Sequence, residues 1–155
     1  MGILMKIIIL IFTILSFANA QSYTFLLKKY NKQIELESKI VFNIADSIIK
    51  EKIKLFIPQI TKQEIDVYSK LFLLEAHCEK ANFIFVKNDI DDKNLCIGHN
   101  KIYFTNNYNR LLSSEKYIGA FFWSKSRPNI VFIKDRMLRK NITLPVSYKQ
   151  FIEDL

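Results

Sequence analysis

Short apolar runs that alternate with helix-like segments constrain the fold of this chain more than any other feature. Runs of this length with many β-branched and aromatic residues are typical of buried strands. The runs are KIKLFIP (52–58), LFLLEA (71–76), ANFIFVK (81–87), KIYFT (101–105), YIGAFFW (117–123) and NIVFI (129–133). LFLLEA could also continue the preceding helix, and we favour a strand because the run that follows it is a clear one.

Helical segments are predicted between these runs. Apolar residues at steps of three and four from Leu36 onward indicate an amphipathic helix that ends near Lys50. Thr61 and Glu64 form a capping-box pattern, which predicts a second helix from Lys62 to about Lys70. Three further helical segments are expected, with caps at Asn106 or Asn107, at Asp135 and at Ser147.

Helices and strands therefore alternate for most of the chain and end in a pair of adjacent strands. The stretch between the last two runs, SKSRPN (124–129), contains the turn formers Pro128 and Asn129 and predicts a hairpin with a loop of four to six residues. The pattern predicts an α/β fold: a single three-layer domain with a mixed sheet that ends in an antiparallel hairpin, and helices on both faces.

The N-terminus has the composition of an export signal. Residues 1–20 contain one charge, Lys6, then the apolar run IIILIFTILSFA and the sequence Ala-Asn-Ala. A basic start, a short apolar core and an A-x-A-like end are typical of a secretory signal peptide, whereas an uncleaved membrane anchor would share the same front half. The apolar run is short for a membrane span. We expect cleavage after Ala20, one domain at 21–155, and a periplasmic protein with no later transmembrane segment.

The chain is basic, with 23 Lys and Arg against 15 Asp and Glu and a net charge of +8. Such an excess of positive charge can favour binding to nucleic acid, to acidic lipid or to an acidic protein. Export makes nucleic acid the least expected partner. The positive charges are spread along the chain without a block of like charge, so a solvated lysine-rich surface is the simplest interpretation.

The cysteines and histidines after residue 20 lie between His77 and His99. In an oxidising compartment the even cysteine count favours a disulfide between Cys78 and Cys96, which flank the same strand run. The alternative is a metal site that uses both cysteines with His77 and His99. The spacing of these four residues is weak evidence for a metal site, because neighbouring side chains such as His77 and Cys78 point apart on a strand.

No catalytic motif is evident. Cys96 and His99 could meet on one helical turn, but the sequence offers no third group to orient a general base. Gly98 and Gly119 are the only glycines after residue 20, which excludes a glycine-rich phosphate loop. We therefore expect no enzymatic activity and no cofactor.

The hairpin carries the clearest candidate contact residues. Trp123, Lys125 and Arg127 fall at its tip, and Trp and Arg are the residue types that most often anchor protein interfaces. The alternative is a Trp123 side chain that its own sheet shields. The hypothesis is that these three residues contact a partner protein.

The C-terminal third, YIGAFFWSKSRPNIVFIKDRMLRKNITLPVSYKQFI, resembles the closing segment of the YfiR-like family, and LESKIVFNIADSI followed by KIKLFI is similar to its opening helix and first strand. Members are small exported proteins that regulate membrane-bound diguanylate cyclases from the periplasm. The resemblance implies a non-enzymatic protein that binds and restrains the periplasmic sensor part of an inner-membrane signalling protein. A periplasmic small-ligand or metal-binding module is the alternative. The sequence leaves the oligomeric state open.

Overall fold

The computed structural model describes residues 32–87, 90–91, 95–96 and 100–154. The chain divides into two compact units, Met1–Glu37 and Ser38–Leu155. In the first unit, the described residues 32–37 are helical, and the predicted signal peptide lies outside the described residues. Among the described residues, no helix combines the length and apolar character that crossing a membrane requires.

The second unit alternates strands with helices, as the sequence predicts. Its helices are α1 (38–48), α2 (Lys62–Tyr68), α3 (Tyr108–Ser113) and α4 (Lys134–Arg139). Its strands are β1 (Lys54–Phe56), β2 (Leu73–Leu74), β3 (Phe83–Val86), β4 (Ile102–Thr105), β5 (Tyr117–Ser124), β6 (Arg127–Ile133) and β7 (Ile152–Glu153). Two 3₁₀ segments, Cys78–Lys80 and Val146–Phe151, complete the described elements.

The strands form one seven-stranded mixed sheet in the order β2-β1-β3-β4-β5-β6-β7. The pair β5–β6 is antiparallel and every other neighbouring pair is parallel. The chain runs outward from β1 to β2, then returns past β1 to β3 and continues in the opposite direction. This reversal between β1 and β3 is the topological switch point of an open α/β sheet.

Helices cover both faces of the sheet. Successive side chains of a strand point to opposite faces, so one strand can contact helices on both sides. On β3, Ile84 and Val86 belong to a buried cluster that includes Leu111 of α3. Lys87 continues the alternation to the other face, where its ammonium pairs with Glu64 of α2. The predicted three-layer α/β domain with helices on both faces is therefore confirmed.

The face opposite α3 has an aromatic core. The ring centroid of Phe104 lies 6.1 Å from that of Phe83 and 5.7 Å from that of Phe132. Gly119 leaves the space that these rings occupy: a Cβ at this position would lie 2.6 Å from Phe104 Cε2 and 2.5 Å from the carbonyl oxygen of Val131. The close packing of β5 against its neighbours thus requires glycine here.

The predicted caps of α2 and α3 are present, and the predicted cap of α4 is not. The capping box of α2 is present, since the Thr61 hydroxyl accepts from the Glu64 N–H and the Glu64 carboxylate accepts from the Thr61 N–H. Asn107 caps α3. The prediction that Asp135 caps the next helix was wrong: α4 follows β6 directly, with Ile133 at the cap position and Asp135 inside the first turn.

The hairpin loop is shorter than its sequence predicts. Ser124 pairs with Arg127, so the loop consists of Lys125 and Ser126, whose φ angles are 49° and 61°. Positive φ at both central residues describes a type I′ turn, whose twist matches that of the flanking strands. Pro128 and Asn129 belong to β6 and not to the turn.

The C-terminal segment also differs from the sequence-based expectation. Instead of a helix capped by Ser147, a 3₁₀ segment over Val146–Phe151 leads into β7. Ile152 pairs with Phe132, and the Tyr148 ring contacts the Phe132 ring at 5.9 Å. Strand pairing at the sheet edge satisfies backbone groups that a helix at this position would leave to solvent.

Arg136 connects α4 to the preceding elements. Its Nη1 lies 2.7 Å from the carbonyl oxygen of Leu111, and 2.9 Å from the carbonyl oxygens of Ser114 and Tyr117. These carbonyls belong to α3, to its C-cap and to the first residue of β5. Burial lowers the pKa of Arg136. The guanidinium therefore holds the base of the hairpin through three backbone carbonyl groups.

Candidate functional site

The outer half of the hairpin extends beyond the rest of the sheet. The last pair between β4 and β5 is Thr105 with Ala120, and β7 begins its pairing with β6 at Phe132. Within the part of the chain that the structure describes, residues 121–124 and 127–130 pair only with each other. We call residues 121–130 the tip ribbon.

The structure places the three candidate contact residues on the tip ribbon but not on one face. Trp123 lies opposite Pro128, and Arg127 lies opposite Ser124. Cross-strand partners share a face and neighbours along a strand do not. Trp123 therefore lies on one face of the ribbon and Arg127 on the other, with Lys125 in the turn between them.

Trp123 is half-buried, whereas Lys125 and Arg127 are exposed. The indole packs edge-on against Phe121, with ring centroids 5.7 Å apart. Its Nε1 is buried and has no hydrogen-bond partner among the residues that the structure describes. The indole is therefore partly shielded by its own sheet, and the hypothesis that Trp123 contacts a partner protein stays a prediction.

The charge of the hairpin has one sign. Between Tyr117 and Ile133 the sequence contains Lys125 and Arg127 and neither Asp nor Glu. Both cations are exposed at the end that projects from the sheet. The ribbon therefore presents a small positive field, which favours an acidic partner surface.

The predicted disulfide is present. Cys78 and Cys96 are bonded, with Cα atoms 5.8 Å apart. The Tyr103 hydroxyl donates to the Cys96 carbonyl oxygen, and burial raises the pKa of Tyr103. Lys101 donates to the carbonyl oxygens of Cys78, Glu79 and Ala81 at 2.7–2.8 Å. The disulfide and this ammonium together hold the 3₁₀ segment against the sheet.

The disulfide also bears on the proposed metal ligands. Among the described residues, Cys78, Glu79 and Cys96 form the group whose ligand atoms approach within 4.8 Å of one another. Both sulfurs are used in the disulfide, so neither is a thiolate that could bind a metal ion. His77 is exposed and is not in this group, and His99 lies outside the described residues.

Two open grooves lie at the amino ends of the parallel strands. One has a volume of about 580 Å³ and is lined by Asn100, Ile102, Arg139, Lys140 and Asn141. The neighbouring groove, of about 320 Å³, shares most of these residues. The Lys140 ammonium donates to the Lys101 carbonyl oxygen at 3.0 Å, and burial lowers the pKa of Lys140. The wall is polar and cationic, which suits a small anion.

A buried ion pair lies at the carboxyl end of β3, next to the switch point. The Lys87 ammonium lies 2.5 Å from Glu64 Oε1, with side chains 11% and 8% exposed. Burial alone would raise the pKa of Glu64, but hydrogen bonds from Lys87 and from the Thr61 N–H and hydroxyl outweigh it and hold that pKa below its ordinary value. The Lys87 ammonium also lies 5.8 Å from the Tyr68 ring centroid.

The sequence shows Glu64 only as a cap and gives no signal for Lys87, because the two are 23 residues apart. The carboxylate of Glu64 and the ammonium of Lys87 neutralise each other at this end of the sheet.

Comparison of the chain with protein-family models, with curated proteins and with solved structures found no match. The tip ribbon is the feature in the described residues that most resembles an interaction site, because it combines an aromatic anchor with unopposed charge.

Proposed function

We propose that this chain is an exported, non-enzymatic regulatory protein that acts by binding a partner protein through the tip ribbon. The projection of the ribbon beyond the sheet is the observation that carries the proposal. A ribbon that ends in two exposed cations and contains a half-buried Trp123 has the residue types of an interface anchor.

The compartment and the partner class rest on two further observations. The Cys78–Cys96 disulfide agrees with export into an oxidising compartment. The resemblance to the YfiR-like family supports the periplasm as that compartment and the sensor part of an inner-membrane signalling protein, a diguanylate cyclase or similar, as the partner. Regulation would follow from a difference in affinity for two states of that partner.

The experiment is crosslinked capture of the tagged protein from its native envelope, with partners identified by mass spectrometry. We expect recovery of an inner-membrane protein with a periplasmic sensor segment. Trp123→Ala should weaken binding by at least about 1 kcal/mol, or about fivefold, while the circular dichroism spectrum is unchanged. Leu138→Ala is the matched control, because Leu138 is a large apolar side chain exposed on α4.

An affinity that Trp123→Ala leaves unchanged would remove the tip ribbon from the interface. Capture of no envelope protein above background by the folded, exported chain would contradict the regulatory role itself. Equal losses in Trp123→Ala and Leu138→Ala would show that the effect does not arise from the ribbon.

A small-ligand module is the second candidate function, and the grooves at the amino ends of β3 and β4 favour it. Arg139 and Lys140 line a groove of about 580 Å³ and would attract a phosphate or carboxylate group. A ligand bound to the folded state raises the melting temperature. Phosphate and citrate should each be tested by thermal unfolding, and a saturable rise that Lys140→Gln removes would favour this candidate.

A further inference from the structure

We propose that the outer edge of β5 in the tip ribbon binds an extended, acidic segment of the partner as an added strand. This inference rests on the proposed function, and it names the surface and the chemistry of the partner. It depends on three observations: the direction of the free backbone groups, the position of a proline, and the distribution of charge.

The direction of the backbone groups follows from the hairpin register. In a hairpin with a two-residue loop, the residues that flank the loop, here Ser124 and Arg127, exchange backbone hydrogen bonds. The next residue, Trp123, then directs its N–H and C=O away from β6. Strand β4 pairs with β5 only as far as Ala120. Within the described residues, the Trp123 backbone thus has no strand neighbour on that side.

The two edges of the ribbon differ. On the β6 side, Pro128 lies opposite Trp123, at a position whose backbone also points outward. Proline has no N–H, so this edge lacks a donor where a pairing strand would need one. The β5 edge has no proline and retains the Trp123 N–H. Within the described residues, the β6 edge therefore lacks a donor at this register, whereas the β5 edge retains one at Trp123.

The distribution of charge selects the occupant. Lys125 and Arg127 are exposed at the turn end and the hairpin contains no carboxylate, so an acidic strand would gain attraction at that end of the ribbon. A second copy of this chain would bring the same two cations and would be repelled. Strand addition takes affinity from main-chain hydrogen bonds and specificity from alternate side chains. An extended segment of alternating apolar and acidic residues satisfies both conditions.

The test uses a fluorescein-labelled eight-residue peptide of alternating Val and Glu, titrated with the full chain at low salt and read by fluorescence polarisation. Three comparison peptides have Lys in place of Glu, N-methyl groups on alternate residues, or the same composition in scrambled order. We expect binding of the acidic peptide that weakens as salt is added. The Lys peptide and the N-methylated peptide should bind at least about tenfold more weakly.

The protein variants separate local from global charge. Lys125→Glu with Arg127→Glu should lower affinity for the acidic peptide at least about tenfold. Lys62→Glu with Lys149→Glu changes the net charge equally at two exposed positions on other elements and should lower it less than about threefold. Both double variants should give the circular dichroism spectrum of the unaltered chain.

Several results would overturn the inference. They are no binding of the acidic peptide, equal binding of the N-methylated peptide, equal binding of the Lys peptide, and equal losses in the two double variants. Sedimentation showing a dimer that Lys125→Glu with Arg127→Glu dissociates would make a second copy the occupant instead. If the peptide fails but Trp123→Ala still abolishes envelope capture, the proposed function stands and strand addition is wrong.

Discussion

Neutralising Glu64 should destabilise the fold strongly while leaving α2 capped. Glu64→Gln keeps an acceptor at the third helical position, where a capping box takes Glu or Gln, so the bonds from Thr61 persist. The Lys87 ammonium, 11% exposed, loses its ion pair with Glu64. Removing one partner of a buried ion pair costs about 3–5 kcal/mol, because the remaining charge is uncompensated. We expect a loss within this range, because the single amide oxygen stays bonded to Thr61 and the amide NH2 group then faces the Lys87 ammonium.

The matched variants isolate the pair. Lys87→Met keeps an unbranched chain near Tyr68 and should cost about 2 kcal/mol, because Glu64 retains its bonds from Thr61. The double variant should be more stable than the sum of the single losses predicts by about 2 kcal/mol. Urea unfolding at neutral pH, followed by circular dichroism, gives the free energies. Losses that add to within about 0.5 kcal/mol would refute the coupling.

The same pair predicts a pH dependence. The pKa of Glu64 is lowered in the folded protein, so its contribution is complete above the unfolded-state value of 4.5 and is lost as the pH falls through the folded value. Glu64→Gln lacks this contribution at every pH. The difference in stability between the unaltered chain and this variant should therefore shrink below pH 4.5, and a difference that stays constant would contradict it.

Three further predictions concern other elements. Gly119→Ala should cost about 2 kcal/mol, because the new Cβ meets the backbone oxygen of Val131 at 2.5 Å, and should lower the melting temperature by about 8 °C; an unchanged melting temperature would contradict the packing. Replacing both cysteines, Cys78→Ser with Cys96→Ser, should lower the free energy of unfolding in urea by about 3 kcal/mol, because the disulfide restricts the conformations of the unfolded chain. A negligible loss would contradict that restriction. Pro128→Thr restores an outward N–H on the β6 edge and should let the acidic peptide bind at that edge too, whereas an unchanged peptide stoichiometry would show that the proline does not protect this edge.

Strands β1 to β6 could be predicted because each lies in a short apolar run bounded by polar residues. The caps of α2 and α3 could be predicted because Thr61 with Glu64, and Asn107, act on backbone groups within three residues. The disulfide could be predicted from the cysteine count and the expected compartment. Each of these features depends on residues that are close in sequence or on chemistry that the composition displays.

Two of the features that the sequence did not predict follow from the hairpin register, and a third depends on a distant part of the chain. Pro128 is a frequent turn former, yet it lies in β6 because Ser124 and Arg127 close a tighter turn and an edge position tolerates proline. The segment after Ser147 reads as a helix but ends as β7, because the exposed edge of β6 offers it backbone partners. The opposite faces of Trp123 and Arg127 follow from the same two-residue turn.

Arg136 bears on the entropy of any binding event at the tip ribbon. By holding carbonyl groups of α3, its C-cap and β5 at once, the guanidinium immobilises the base from which both strands of the hairpin extend. A surface that is ordered before an encounter loses little freedom when a partner arrives, so more of the interaction free energy appears as affinity. The ordering cost of strand addition would then fall on the incoming segment. The stiffness of that segment, set by its own sequence, would govern how tightly it binds.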